Sequence, residues 1–208
     1  MWWLIGAGVV LLSAALWGPI VSRRAEQPKY KVVAKERDIE IRDYAPMIVA
    51  EVEFPGERNV ALGQGFRAVA DYIFGDNSSS QKVAMTAPVT QQESETIAMT
   101  APVTQHGDGD NWRVRFVMPS HYTLASLPTP NNPAVKLKEF GGRRFAVIRF
   151  SGLARDAVLK RHAKDLQDFI VSKNLKFLSA PIYAYYNPPW TLPFLRRNEV
   201  SIEIAGEQ

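Results

Sequence analysis

Between Tyr30 and Ile204 the apolar positions recur with two periods, every second residue in some stretches and every third or fourth in others. Period two marks a strand with one face on a core, and a 3.6-residue period marks a helix. Tyr30–Lys35 and Ile39–Arg42 read as strand segments broken near Asp38, followed by Met47–Phe54, which Pro55-Gly56 stops. From Glu57 to Phe74 the apolar residues Leu62, Phe66, Val69, Ala70 and Ile73 form one helical face. A polar turn at His106–Asn111 precedes a strand at Trp112–Met118, and the proline-rich Ser120–Pro133 is an irregular crossing. A second cycle then starts. Val135–Phe140 and Arg144–Phe150 read as strands with Gly141-Gly142 as the turn, and Leu153–Lys173 as a helix. Leu159, His162, Ala163, Leu166, Phe169 and Ile170 share a face of that helix, and Ile182–Tyr186 and Glu199–Ile204 close the series as strands.

Both cycles contain a strand ending Phe-x-Gly (Phe54-Pro55-Gly56 and Phe150-Ser151-Gly152), then a helix, then strands. The fold class expected is α+β: a distorted antiparallel sheet or barrel of two pseudo-symmetric βαββ halves with two main helices. Inside the first cycle, Val83–Gln91 recurs at Ile97–Gln105 with eight of nine positions identical. Both copies alternate and are expected to be extended, with Pro88 and Pro102 marking where each leaves the ladder, since proline cannot donate to it. The segment holds no group able to catalyse.

Composition adds an appendage. Trp2–Val21 is twenty residues without a charge, enough as a helix to span about 30 Å of hydrocarbon. The chain therefore divides into an N-terminal transmembrane helix over 1–22, a linker over 23–29 and a domain over 30–205. A cleaved signal peptide is the rival reading, but no basic residue precedes the run and Val21–Arg24 makes a poor cleavage site. Arg23 and Arg24 follow the span, which favours a cytoplasmic over a periplasmic domain. The net charge of +4 is scattered, which points away from a nucleic-acid partner. With no cysteine, disulfides, thiolate metal sites and a cysteine nucleophile are excluded.

Candidate chemistry is sparse. Of the three histidines, His162 lies on an apolar helix face, His106 in a turn and His121 in a loop; no two have metal-ligand spacing. No nucleophile elbow or acid–base pair is visible, so an enzyme is not expected. Gly63-Gln64-Gly65-Phe66-Arg67-Ala68 matches a dinucleotide fingerprint but sits inside the helical pattern; its glycines read better as places where helix meets sheet. Asn77-Ser78-Ser79 is a glycosylation sequon without supporting context. Tyr183–Arg197 is stiff and aromatic. It reads either as a pocket wall for a flat apolar ligand, with Arg196 and Arg197 facing anionic groups, or as a cover over the core with its arginines in structural pairs.

Five segments in order, Lys82–Val89, Trp112–Pro119, Phe150-Ser151-Gly152, Asn187–Trp190 and Arg196–Val200, resemble the SOUL haem-binding protein family, over about Tyr30 to Ile204. The resemblance implies a distorted barrel of two βαββ halves, similar also to effector-binding domains of multidrug-responsive regulators. It implies non-enzymatic binding of haem or a related tetrapyrrole as carrier or buffer. The alternative is a module for other amphipathic small molecules, or for protein interaction, without haem affinity. The pocket it implies combines Phe66, Val69, Ala70 and Ile73 of the first helix with Tyr186, Trp190 and Phe194. A basic helix position of some members falls on Gly63, which leaves Arg67 as the substitute propionate partner, and no residue matches an axial histidine. By the same resemblance one copy of the repeat is the strand after the first helix, and the other is an insertion.

Overall fold

The computed structural model describes residues 25–79, 94–108 and 111–206. The apolar run Trp2–Val21 and the first repeat copy lie outside them. Among the described residues no helix is long and apolar enough to cross a membrane.

The strands are β1 (Tyr30–Glu36), β2 (Ile39–Tyr44), β3 (Met47–Pro55), β4 (Asn77–Ser78), β5 (Val103–Asp108), β6 (Asn111–Val117), β7 (Thr129–Pro130), β8 (Lys136–Phe140), β9 (Arg143–Phe150), β10 (Ile182–Tyr185) and β11 (Asn198–Ile204). Helix α1 (Arg58–Ile73) follows β3, and α2 (Asp156–Ser172) follows β9. Nine strands form one antiparallel sheet in the order β1-β2-β9-β11-β10-β5-β6-β3-β8, and β4 pairs only with β7. Reading outward from the β10–β5 seam gives β10-β11-β9 on one side and β5-β6-β3 on the other. This is the expected pseudo-symmetric pair of βαββ halves. Gly56 and Gly152, which end the equivalent strands, both take a left-handed φ, +101° and +102°, which explains the recurring Phe-x-Gly.

The outermost strands are exchanged. β2 runs straight into β3 through Ala45-Pro46 yet pairs with β9 of the other half, and β8 runs into β9 through Gly141-Gly142 yet pairs with β3. Two linking residues reach at most about 11 Å from strand to strand. Strands near opposite ends of the sheet order must therefore lie side by side, and the sheet curls into a half-barrel. Gly141-Gly142 is thus a crossing between halves rather than a hairpin turn, and Gly142 sits so close to Tyr44 that a Cβ would lie 3.3 Å from its carbonyl oxygen.

Each helix covers its own half on the convex face. Beneath α1 lie Ala50, Val52, Val114 and Phe116; beneath α2 lie Ala146, Ile148, Val200 and Ile202, met by Leu159, Ala163, Leu166 and Ile170. Glu57 caps α1, its carboxylate accepting from the N–H groups of Asn59 and Val60. Asn77, 3% exposed, is spent inside the fold: Nδ2 donates to the Tyr72 and Glu95 carbonyls and Oδ1 accepts from the Glu95 N–H. Its amide is not open to a glycan.

The second repeat copy departs from expectation. Ile97–Pro102 is not strand but irregular chain that buries Ile97 and Thr100–Pro102 and leaves Ala98 and Met99 exposed, held where the Ile97 N–H donates to the Ile73 carbonyl at 2.9 Å. β5 begins after Pro102 instead of ending there, because the ladder partners of β10 and β6 need donors that proline lacks. The turn expected at His106–Asn111 is likewise tighter, with β5 and β6 paired out to Asp108 and Asn111.

Candidate functional site

Alternation along each strand sends one residue to the helices and the next to the concave face. Between Val200 and Ile202, both under α2, stands Glu199's neighbour Ser201, and on β10 Ile182 and Ala184 likewise face inward. The concave face carries a cleft lined by Tyr44, Met47, Val49, Pro102, Thr104, Val117, Phe140, Phe145, Ile182, Ala184, Tyr186 and Ser201, with Glu199, Arg115 and Arg143 supplying the charge. Its enclosed part holds about 110 Å³. An adjoining pocket of about 250 Å³ shares Pro28, Met47 and Val117 with it and extends under Met118–Leu124.

At the floor Glu199 and Arg42 are each 2% exposed. Arg42 Nη1 donates to both Glu199 oxygens at 3.1 Å, and its Nε donates to Glu40 at 2.9 Å. Arg197 Nε and Nη2 donate to Glu199 Oε1 at 3.0 and 2.8 Å, and the Tyr186 hydroxyl donates to Oε2 at 2.7 Å. Both carboxylate oxygens are saturated by charge-assisted bonds, so the buried charge is compensated in place. Burial, and then the charge of Glu199, raises the Tyr186 phenol well above its ordinary range and pushes Tyr44 up to about 12. Both remain neutral at physiological pH, Tyr186 donating to Glu199 and Tyr44 accepting from Arg42 Nη1 at 3.2 Å. Arg197 stacks on the Tyr186 ring at 3.8 Å.

The other wall repeats the device. Glu51 accepts from Lys138 Nζ at 2.6 Å and from Arg115 Nε. Burial alone would raise the Glu51 carboxyl, but these hydrogen bonds outweigh it and hold it below its ordinary 4.5. Arg115 and Arg143 lie 4.8 and 4.6 Å from the Phe140 ring centre, placing two guanidiniums at one rim. The cleft is therefore apolar and aromatic along its walls, carries at one rim two guanidiniums that are each paired with a carboxylate (Arg115 with Glu51, Arg143 with Glu203 at 2.7 Å), and is closed to a cation at its buried carboxylate.

The residues singled out from sequence fall on two sides of the sheet. Val69, Ala70 and Ile73 are buried, packed with α1 against β3 and β6. Phe66 is 41% exposed and leans on Phe116, ring centres 5.3 Å apart, while Arg67 points to solvent. Trp190 and Phe194 stand out at 66% and 70% exposure on the loop before β11. Tyr186 alone of the set lines the concave cleft. In that loop Arg196 holds the Thr191 and Pro189 carbonyls and Arg197 holds Glu199, so both arginines have structural partners. Arg42, Met47, Glu51, Arg115 and Glu199 carry the cleft and were not singled out. Each is visible in sequence only as a charged or apolar residue within an alternating strand, and strand register is what brings them together.

None of the three histidines lines the cleft. His162 stacks on Phe150 with ring centres 4.3 Å apart and its Nδ1 3.7 Å from Asp165 Oδ2; desolvation, then Arg161, lowers its pKa, as suits a packed helix residue. His121 lies against Tyr122, and His106 is in β5. Among the described residues no cluster of His, Asp and Glu has the makings of a metal centre. For haem, the lining matches the macrocycle's apolar body and its carboxylates, but the enclosed volume is smaller than the ring and no histidine is offered to the iron.

Solved structures similar to this chain share the fold. The C-terminal domain of EcmrR superposes with a TM-score of 0.59 at 8% identity, covering 86% of this chain and 99% of that one. A hydrolase from Listeria innocua gives 0.52 at 16% identity, over 83% and 94%. In sequence, mouse heme-binding protein 1 is 27% identical over 144 residues, 67% of this chain and 70% of the relative. The family model described as SOUL heme-binding protein matches residues 25–203. The chain belongs to the SOUL haem-binding protein family.

Proposed function

We propose that the chain binds haem or a related tetrapyrrole in the concave cleft, as a carrier or buffer, without chemically altering it. The supporting observation is the pairing of apolar and aromatic walls with the guanidiniums of Arg115 and Arg143 at one rim. A flat apolar body with carboxylates at its edge matches that pairing. Sequestration of Glu199 by Arg42 and Arg197 disfavours a cationic ligand in its place. With no histidine at the cleft, affinity comes from ring contact and carboxylate pairing, so a metal-free porphyrin should bind about as well as haem. The apolar run Trp2–Val21 would tether this binding domain to a membrane, on the cytoplasmic side by the Arg23-Arg24 flank.

Haemin titrated into the full chain in lipid nanodiscs, against empty nanodiscs, should give a saturable one-to-one Soret shift. Ser201→Trp, which fills the cleft from β11, should weaken binding at least about tenfold, equivalent to 1.4 kcal/mol. Phe66→Ala and Trp190→Ala should change it less than about threefold, a few tenths of a kcal/mol. The opposite pattern would place the ligand on the outer surface of α1 and the 187–197 loop. No saturable shift in any protein would reject the function.

A further inference from the structure

The residues between the apolar N-terminal run and β1 do not hang free as a linker. Ala25 packs against Ala101, Ala184 and Tyr186. The Glu26 carbonyl accepts from the Ala101 N–H at 2.9 Å, and its carboxylate accepts from the Ser120 N–H at 3.0 Å. Gln27 Oε1 accepts from Arg197 Nη1 at 3.0 Å, and the Lys29 carbonyl accepts from the Ala45 N–H at 2.9 Å. Ala101 and Ser120 flank β5 and β6 of the first half, whereas Ala184 lies in β10 and Tyr186 and Arg197 flank β10 and β11 of the second. The segment therefore crosses the mouth of the cleft, and Pro28 lines both adjoining pockets.

We propose that residues 25–29 are an internal strap occupying the ligand cleft, and that an anionic ligand enters by displacing it. This rests on the cleft being the binding site. Taken separately, the two pockets are too small for a tetrapyrrole; with Pro28 withdrawn they form one groove along the concave face. The displacement has a chemical trigger. Arg197 gives Nε and Nη2 to Glu199 and only Nη1 to the neutral Gln27 amide. A ligand carboxylate competes well for that third donor, because a charge-assisted bond is stronger than one to an amide oxygen. Loss of Gln27 leaves Glu26 and Ala25 holding one end, while Lys29, bonded to the link between β2 and β3, stays as the pivot.

The chain has no cysteine, so an introduced pair is unambiguous. In the full chain, Ala25→Cys with Ala101→Cys, once oxidised, should capture haemin at least about tenfold more slowly, a 1.4 kcal/mol rise in barrier, and reduction should restore the rate. Glu26→Ala with Gln27→Ala should speed capture. In the wild-type chain, saturating haemin should increase hydrogen exchange at the Ala101 and Ser120 amides. Equal capture rates in all proteins, with those amides still protected in the complex, would overturn the strap while leaving haem binding intact. Failure of every protein to capture haemin, the loosened one included, would reject the binding reading and the strap with it.

Discussion

Glu199→Ala should lower the unfolding free energy by about 3–5 kcal/mol, the cost of removing one partner from a buried ion pair. The size follows from what remains. Arg42 is 2% exposed and would keep the part-exposed Glu40, which Lys35 also holds, and the neutral Tyr44 hydroxyl. Tyr186 would lose its acceptor in the same pocket, and Arg197 would keep only the neutral Gln27 amide oxygen. Two guanidiniums then face one cavity with Glu40, at its part-exposed edge, as their nearest carboxylate. Arg42→Met with Glu199→Leu removes both charges and should recover much of the loss, since apolar replacements of a whole buried pair are often neutral. Chemical denaturation of the three proteins measures this. A loss below about 1 kcal/mol for Glu199→Ala would mean that water reaches the network and that the cleft floor is not sealed.

Two glycines two residues apart on α1, and so on nearly opposite sides of it, should respond to alanine with opposite signs. A Cβ on Gly65 would lie 2.5 Å from Val114 Cγ2 and 2.7 Å from Val114 Cβ, whereas one on Gly63 meets nothing within 4 Å. Val114 is fully buried in β6 and paired on both sides, with Val52 and Gln105, so it has nowhere to retreat. Gly65→Ala should destabilise by about 1–3 kcal/mol, the range for overpacking a core. Gly63→Ala should stabilise by about 0.5–1 kcal/mol by restricting the unfolded helix segment. Thermal or denaturant midpoints decide it. Equal effects would mean that α1 does not rest on β6 through Gly65.

These two sites also show what the sequence made legible. The glycines were read as contact points between helix and sheet, and Gly65 is one. The face expected from sequence, Leu62, Phe66, Val69, Ala70 and Ile73, is buried at its last three positions, but Ala61, Gly65 and Tyr72 complete it and Phe66 is exposed. A residue without a side chain carries no weight in a hydrophobic pattern, so the face shifted. The two-cycle plan was legible because Phe-x-Gly encodes a backbone conformation locally. The exchange of β2 and β8 was not, because a two-residue link reads like a hairpin turn whichever strand its neighbours pair with. Arg42 and Glu199 lie 157 positions apart, and only register through β9 and β11 brings them together. The strap is illegible for a related reason: Ala25–Lys29 has a linker's composition, and half of its hydrogen bonds run through backbone carbonyls that composition does not register.

The cleft as the ligand site is tested most directly by adding metal-free protoporphyrin to isotope-labelled protein and following backbone amide shifts. The expected result is a saturable set of changes centred on Met47, Val49, Ala184 and Ser201, joined by Gln27 and Lys29 of the strap. Changes confined to the outer surface of α1 around Phe66 and to the Trp190–Phe194 loop, or no saturable change, would contradict it.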